Sequence, residues 1–321
     1  MCRGTHTRSC VLAAAVLGGL VLGGPHGELR AQPADARPPF GPPFPRSFAD
    51  LDAFFERAFG ATAEDQQALE AIEVSPEEER ELGRQMVEAY VADMKRRRVA
   101  VASRGRDVEY LGKLVETLRP LLKNGDRYEA VRVLVLDTPQ FEARSFPGGT
   151  LVFSRGLLEF AGNEAALVGV VGHELSHLDR GHQLLPICRL KLIRRLAPQG
   201  GGRVSPESLL STGQTLMRLA RPFRPEDEQA ADRDAAAWMF QAGYDPRELA
   251  ELFLQMDRTQ QSPSFPVPAM FRSHPVNANR HQAALALYEE LAAATPPGGR
   301  LYKGAENLRR RVPRSEQEFA E

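Results

Sequence analysis

The residues His173-Glu174-Leu175-Ser176-His177 form an H-E-x-x-H pattern near the middle of a 321-residue chain. On a helix, histidines four apart project from one face with Cβ atoms about 5–6 Å apart. That separation lets both imidazoles reach one zinc ion, with Glu174 beside them to take a proton from water activated by the metal. The lead-in, Ala165 to Val168 followed by Val170 and Val171, is apolar enough for a helix buried in a core. A buried helix with two hydrogen-bonded histidines would show the same spacing, so the rest of the chain must decide between the two readings.

A catalytic zinc takes a third protein ligand and keeps a fourth position for water. His182 follows His177 by five residues, with Gly181 before it. This is close to the extended pattern H-E-x-x-H-x-x-G-x-x-H but out of its register. His182 is therefore expected to support a ligand or to end the helix. The better third ligand lies in Glu228-Gln229-Ala230-Ala231-Asp232. On a helix Glu228 and Asp232 share a face. A metal ligand followed one turn later by an acceptor for a ligating histidine's outer N–H fits that arrangement. Ala230, Ala231 and Ala235 to Ala237 would let this helix approach the H-E-x-x-H helix closely. Taken alone, the stretch would be an acidic turn facing solvent.

Composition bounds the rest. The 41 basic and 42 acidic residues nearly cancel, so no global field favours nucleic acid. A mean hydropathy of −0.35 excludes a polytopic membrane protein. Residues 1–31 have the form of a secretory signal: Arg3 and Arg8, an apolar run from Val11 to Gly24, and a cut after Ala31. That run is short for a membrane span, although an uncleaved segment would tether the protein to a membrane. Cys2 and Cys10 fall in this segment. Only Cys188 remains, so no intramolecular disulfide is expected.

Residues 32–47 are a Pro- and Gly-rich linker. Residues 48–74 form an amphipathic segment with Phe48, Leu51, Phe54, Phe55 and Phe59. Its stripe suits the core, a membrane surface or a cover over a cleft. Residues 75–295 form the main domain, opening on a capping box at Ser75-Pro76-Glu77-Glu78. Strands are predicted at Val131 to Leu136 and Thr150 to Phe153. Helices are predicted from Asn163, from Pro225 to Ala242, from Asp245 to about Met256 and from Pro275 to about Ala293. Residues 198–206 read as a flexible insertion, 259–272 as a lid-length loop, and 296–321 as a loose charged tail.

Five stretches, in order, resemble metallopeptidase family forty-eight, the gluzincins that include HtpX and the CAAX prenyl endopeptidases. They are SPEEERELG from Ser75, the Pro147 to Leu158 block PGG-x-x-x-x-x-x-GLL, HELSHLDRGH, EQAAD, and Ser273-His274-Pro275 with Arg280 beyond. Many members carry Asn-Ala shortly before PGG, on the edge strand that pairs with substrate. Here Glu142-Ala143 stands there, followed by Arg144, Ser145 and Phe146. The resemblance implies an α+β, mainly helical zincin-type domain with a small sheet and an H-E-x-x-H active-site helix. It implies one zinc ion per chain, with His173, His177 and Glu228 as ligands, Glu174 as general base, and Asp232, His182 and Arg280 in support. His274 is expected either to stabilise the oxyanion, to cap its helix or to hold the metal at rest.

The four hydrophobic spans of membrane-embedded relatives have no counterpart in this sequence. The implied protein is a compact, exported endopeptidase, periplasmic or extracellular, acting on protein or peptide substrates in envelope quality control, misfolded envelope proteins among them. Peripheral membrane contact through the phenylalanine stripe is compatible with that. The alternative is an exported zinc-containing chaperone-like or membrane-associated binding module with little proteolysis.

Overall fold

A computed structural model describes residues 69, 71–196, 212–220, 223–260, 274, 278–294 and 299–321, all within the unit Pro42–Glu321. The elements run α1 (Pro76–Arg96), β1 (Val101–Ala102), α2 (Arg106–Leu118), β2 (Arg132–Leu136), β3 (Ala143–Phe146), β4 (Thr150–Ser154) and α3 (Arg155–Phe160). They continue α4 (Glu164–Arg180), α5 (Leu185–Leu196), α6 (Thr212–Leu219), α7 (Pro225–Gln241), α8 (Arg247–Gln260), α9 (Ala278–Ala294) and α10 (Ala305–Arg310). The domain is thus α+β and mainly helical with one small sheet, as expected. The signal segment, the linker, the phenylalanine stripe, the 198–206 insertion and residues 261–272 of the expected lid lie outside the described residues. Among the described residues no helix is long and apolar enough to cross a membrane.

Ser75 caps α1, its Oγ accepting from Glu78 N at 3.2 Å with Pro76 at the first helical position. The other half of the expected box is redirected: the Glu78 carboxylate pairs with Lys191 Nζ of α5 at 2.6 Å. Ser75→Ala is expected to cost about 1 kcal/mol, measured by urea unfolding. No change would mean that the Lys191 pair alone fixes this end.

The sheet order is β1-β2-β4-β3, with β2 and β4 parallel and the two edge strands antiparallel to their neighbours. Alternate side chains leave opposite faces. Val133, Val135, Ala143, Leu151 and Phe153 pack with α2 and α4, whereas Leu134, Leu136, Phe146 and Val152 pack with α1, α5 and α6. Both faces are covered, which is why β2 reads as a nearly continuous apolar run. Strand propensity alone does not give β3, because Ala-Arg-Ser-Phe carries little of it; the family resemblance is what placed an edge strand here. Its turn makes it: Gly148 and Gly149 adopt φ of +78° and +82° and reverse the chain into β4.

Every residue of α4 from Glu164 to Asp179 is buried. Asn163 caps it, with Oδ1 accepting from Ala166 N at 2.9 Å, and Gly181 closes it in the left-handed conformation. Helix α7 lies close against it because a Cβ on Gly172 would come within 3.2 Å of the Ala235 Cα.

One expectation is corrected. The stretch after residue 298 is not a loose tail, since Leu301, Tyr302, Asn307 and Leu308 are buried in it. The carbonyls of Gly304 and Lys303 accept from Glu164 N at 3.1 Å and Ala165 N at 2.8 Å. They satisfy donors that the first turn of a helix otherwise leaves open. The C-terminal stretch thereby anchors the start of the H-E-x-x-H helix.

Candidate metal centre

His173 and His177 point from one face of α4 toward α7, whose Glu228 and Asp232 lie one turn apart on the facing side. His173 Nε2 is 3.1 Å from His177 Nε2 and 3.5 Å from Glu228 Oε2, and His177 Nε2 is 3.5 Å from Glu228 Oε1. Ligand atoms about 2.0–2.1 Å from a tetrahedral zinc would be roughly 3.3 Å apart. The three side chains therefore have the spacing of a metal's ligand set. His274, just before α9, joins them, with Nδ1 3.1 Å from His173 Nε2 and 2.9 Å from Glu228 Oε1. All four side chains are buried, with ligand atoms within 4.8 Å of one another.

Beyond these inward nitrogens, each α4 histidine has an outer partner. His173 Nδ1 donates to Asp232 Oδ1 at 2.9 Å, and Asp232 is gripped in turn by Arg280 Nε and Nη2 at 2.7 and 2.6 Å. His177 Nδ1 lies 2.8 Å from His182 Nδ1. We assign the proton to His177, which leaves His182 as acceptor with its Nε2 turned toward Asp227 Oδ1 at 3.6 Å. Burial lowers the His182 pKa, so the neutral acceptor form suits its site. Such partners fix the tautomer and ring angle of a metal-binding histidine. Phe223 stacks on His177 at a centroid distance of 3.9 Å and 16°.

The electrostatics favour a cation. Burial pushes the His173 imidazole down, yet Glu228 and Asp232 outweigh it and lift it to about 10. Burial would raise Glu228, but the charges of His274 and His173 hold it far below the carboxylate range. Burial drives His177 well below the ordinary histidine value. The carboxylates thus make the pocket negative enough to retain a proton on one histidine, and a divalent ion would meet the same demand. Several polar atoms also lack hydrogen bonds there: Glu174 Oε1 and Oε2, Glu228 Oε2 and His274 Nε2. Buried polar atoms left this way are costly without a further partner. Three of the four have a neighbour at ion-pair distance: His274 Nε2 and Glu174 Oε1 lie 3.3 Å from each other, and Glu228 Oε2 lies 3.2 Å from Arg280 Nη1. The buried His, His, Glu and His set is the donor set of one metal site, of the kind zinc favours.

Residues 110–287 match Peptidase family M48. The chain belongs to that family.

Its metallopeptidase identity therefore rests on more than half of the sequence and on a complete cluster of candidate ligands. Over 160 residues the chain is 25% identical to the beta-barrel assembly-enhancing proteases of Escherichia coli K12 and Shigella flexneri, and 26% identical to that of Yersinia pestis. Those alignments cover 46% of this chain and 32% of each relative. The aligned part thus spans about a third of the relatives' length.

All eight residues singled out from the sequence gather here: Glu174, His173, His177, Glu228, Asp232, His182, His274 and Arg280. Sequence reasoning missed Phe223 and Asp227, as well as a brace in which Ser176 Oγ and Arg180 bind Asp234, the hydroxyl at 2.7 Å. Ser176 and Arg180 are four apart on α4, and Asp234 follows Asp232 on α7. That spacing was visible, but nothing local named the partner.

Proposed function

We propose that this M48 metallopeptidase is a zinc-dependent endopeptidase that cleaves extended protein segments outside the cytoplasm. The observation that carries the reading is Glu174: fully buried, with neither carboxylate oxygen hydrogen-bonded, beside three side chains spaced as metal ligands. A structural metal site has no need of that carboxylate. His173, His177 and Glu228 would hold the ion, with Asp232 and His182 orienting the two imidazoles. When bound, zinc polarises the scissile carbonyl and lowers the pKa of water. Glu174 accepts the proton of the attacking water and delivers it to the leaving amine. His274 lies close enough to the other three to supply the fourth donor to a metal held there, which favours the resting role over oxyanion stabilisation. A catalytic site must keep one position open, so His274 would move aside as substrate enters.

Substrate would enter along β3. In the β3–β4 pair, Ser154 N donates to the Glu142 carbonyl at 2.9 Å, and the hydrogen-bonded arrangement recurs every second residue. Arg144 and Phe146 therefore direct their backbone groups to β4, while those of Ala143 and Ser145 point away from it, from residues that are themselves buried. A peptide strand would pair with them beside the metal centre once that edge is uncovered. The glutamate at 142 leaves this edge intact, since its carboxylate is taken up by Tyr90 Oη at 2.6 Å.

The signal-like N-terminus supports export; the aligned relatives are named for enhancing beta-barrel assembly, and substrates among misfolded envelope proteins are the reading we take for this chain. Metal analysis of purified protein should find one equivalent of zinc. A chelator should abolish casein hydrolysis and added zinc should restore it. Metal-free protein that cleaves casein would sink the proposal.

A further inference from the structure

Resting on the reading that substrate pairs with β3, we propose that Arg144 selects substrates carrying an aspartate or glutamate opposite it on the added strand. Arg144 faces β4 with its backbone, so it forms a non-hydrogen-bonded pair with an antiparallel newcomer. In such pairs the side chains on a common face come closest, and opposite charges attract. Its guanidinium lies over the Tyr90 ring at 5.9 Å. Its Nε makes no hydrogen bond among the described residues and stands 3.7 Å from Glu142 Oε1. That carboxylate oxygen already accepts from the Tyr90 hydroxyl at 2.6 Å, so the arginine's charge is only partly met.

Two cavities meet at this side chain. One, about 40 Å³, joins Arg144 and Ser145 to His182, Phe223 and His274, and among the described residues no carboxylate lines it. The other, about 660 Å³, opens from Arg144 along the end of α1. The first connects Arg144 to the metal centre, and the second has room for a substrate side chain. In the second, Arg96 and Arg97 both pair with Asp93, whereas the buried Arg144 Nε is held only by the longer approach to Glu142. Among the described residues, Glu142 is the acid that pairs with Arg144 and would compete.

The test uses the zinc-loaded full chain and quenched peptides in which each position within four residues of the scissile bond is Asp, Ala or Lys in turn. Strand geometry gives a sharp expectation: kcat/KM favours Asp over Lys at one position by about two- to fivefold, and its immediate neighbours, which face away, show no charge preference. Arg144→Ala should erase the ratio and Arg144→Glu should invert it, a reversal that general damage to the fold cannot produce. If the wild type cleaves Asp and Lys peptides equally at every position, or if Arg144→Glu keeps the wild-type ratio, the inference is overturned and the peptidase reading stands. If the wild type cleaves none of them while holding zinc, the peptidase reading fails and this inference with it.

Discussion

Glu174→Gln is expected to lower kcat/KM by about 10²–10⁴-fold while leaving the zinc content at one equivalent. The amide is nearly isosteric with the carboxylate and sits in the same buried position, so the metal's ligands need not move. What it loses is the ability to take a proton. Glu228→Ala is the informative contrast. It removes the carboxylate whose oxygens lie 3.5 Å from both α4 histidines and leaves those imidazoles without their third companion. Zinc should then be lost together with activity. Metal analysis and casein hydrolysis on the same preparations distinguish the two variants. If Glu174→Gln hydrolyses casein at the wild-type rate, the proton route proposed here is wrong. If Glu228→Ala keeps its zinc, the ligand set is.

The two halves of the centre differ in how they could be read. His173, Glu174 and His177 are bound by local geometry, because four residues along a helix decide which side chains meet. Glu228 and Asp232 obey the same rule on their own helix, but their approach to α4 depends on small residues at the contact, Gly172 against Ala235. The family pattern supplied that link. Where the partner is distant in sequence and the local signal weak, reading stopped. β3 has little strand propensity of its own: the family pattern pointed to an edge strand there, and the Pro147–Gly149 turn lays it against β4. The C-terminal stretch looked loose because it is crowded with charge. Its few apolar residues are buried only because the start of α4 offers open N–H groups and a buried Glu164. That carboxylate accepts from Tyr110 at 2.8 Å and Tyr244 at 2.7 Å. Burial outweighs these hydroxyl donors and raises the Glu164 pKa, so this anchor is a polar network inside the core. Phe223 lay hidden for a simpler reason: a lone phenylalanine between two arginine-proline pairs has no periodicity to betray what it stacks on.

Arg280→Met should destabilise the zinc-free protein by about 3–5 kcal/mol, the usual cost of breaking a buried ion pair from one side. Arg280 is 5% exposed and binds Asp232 through two nitrogens, with a third nitrogen 3.2 Å from Glu228 and the guanidinium 4.3 Å from the Phe253 ring centroid. Methionine keeps some of the packing on Phe253 but strands the Asp232 carboxylate. Burial alone would raise the Asp232 pKa, whereas Arg280 and then His173 hold it below the ordinary aspartate value. Its folded pKa is depressed, so its contribution is complete at neutral pH and is lost as pH falls below the usual aspartate range. Asp232→Asn on its own should weaken zinc binding by about 10–100-fold, since the His173 N–H then faces an amide instead of a carboxylate. Combining it with Arg280→Met should cost less than the sum of the two single changes, because each removes the other's unpaired charge. Urea unfolding in excess chelator gives the stabilities and competition with a metal indicator gives the affinities. Strict additivity would mean that Arg280 acts through packing on Phe253, and that the Asp232 carboxylate holds His173 without its help.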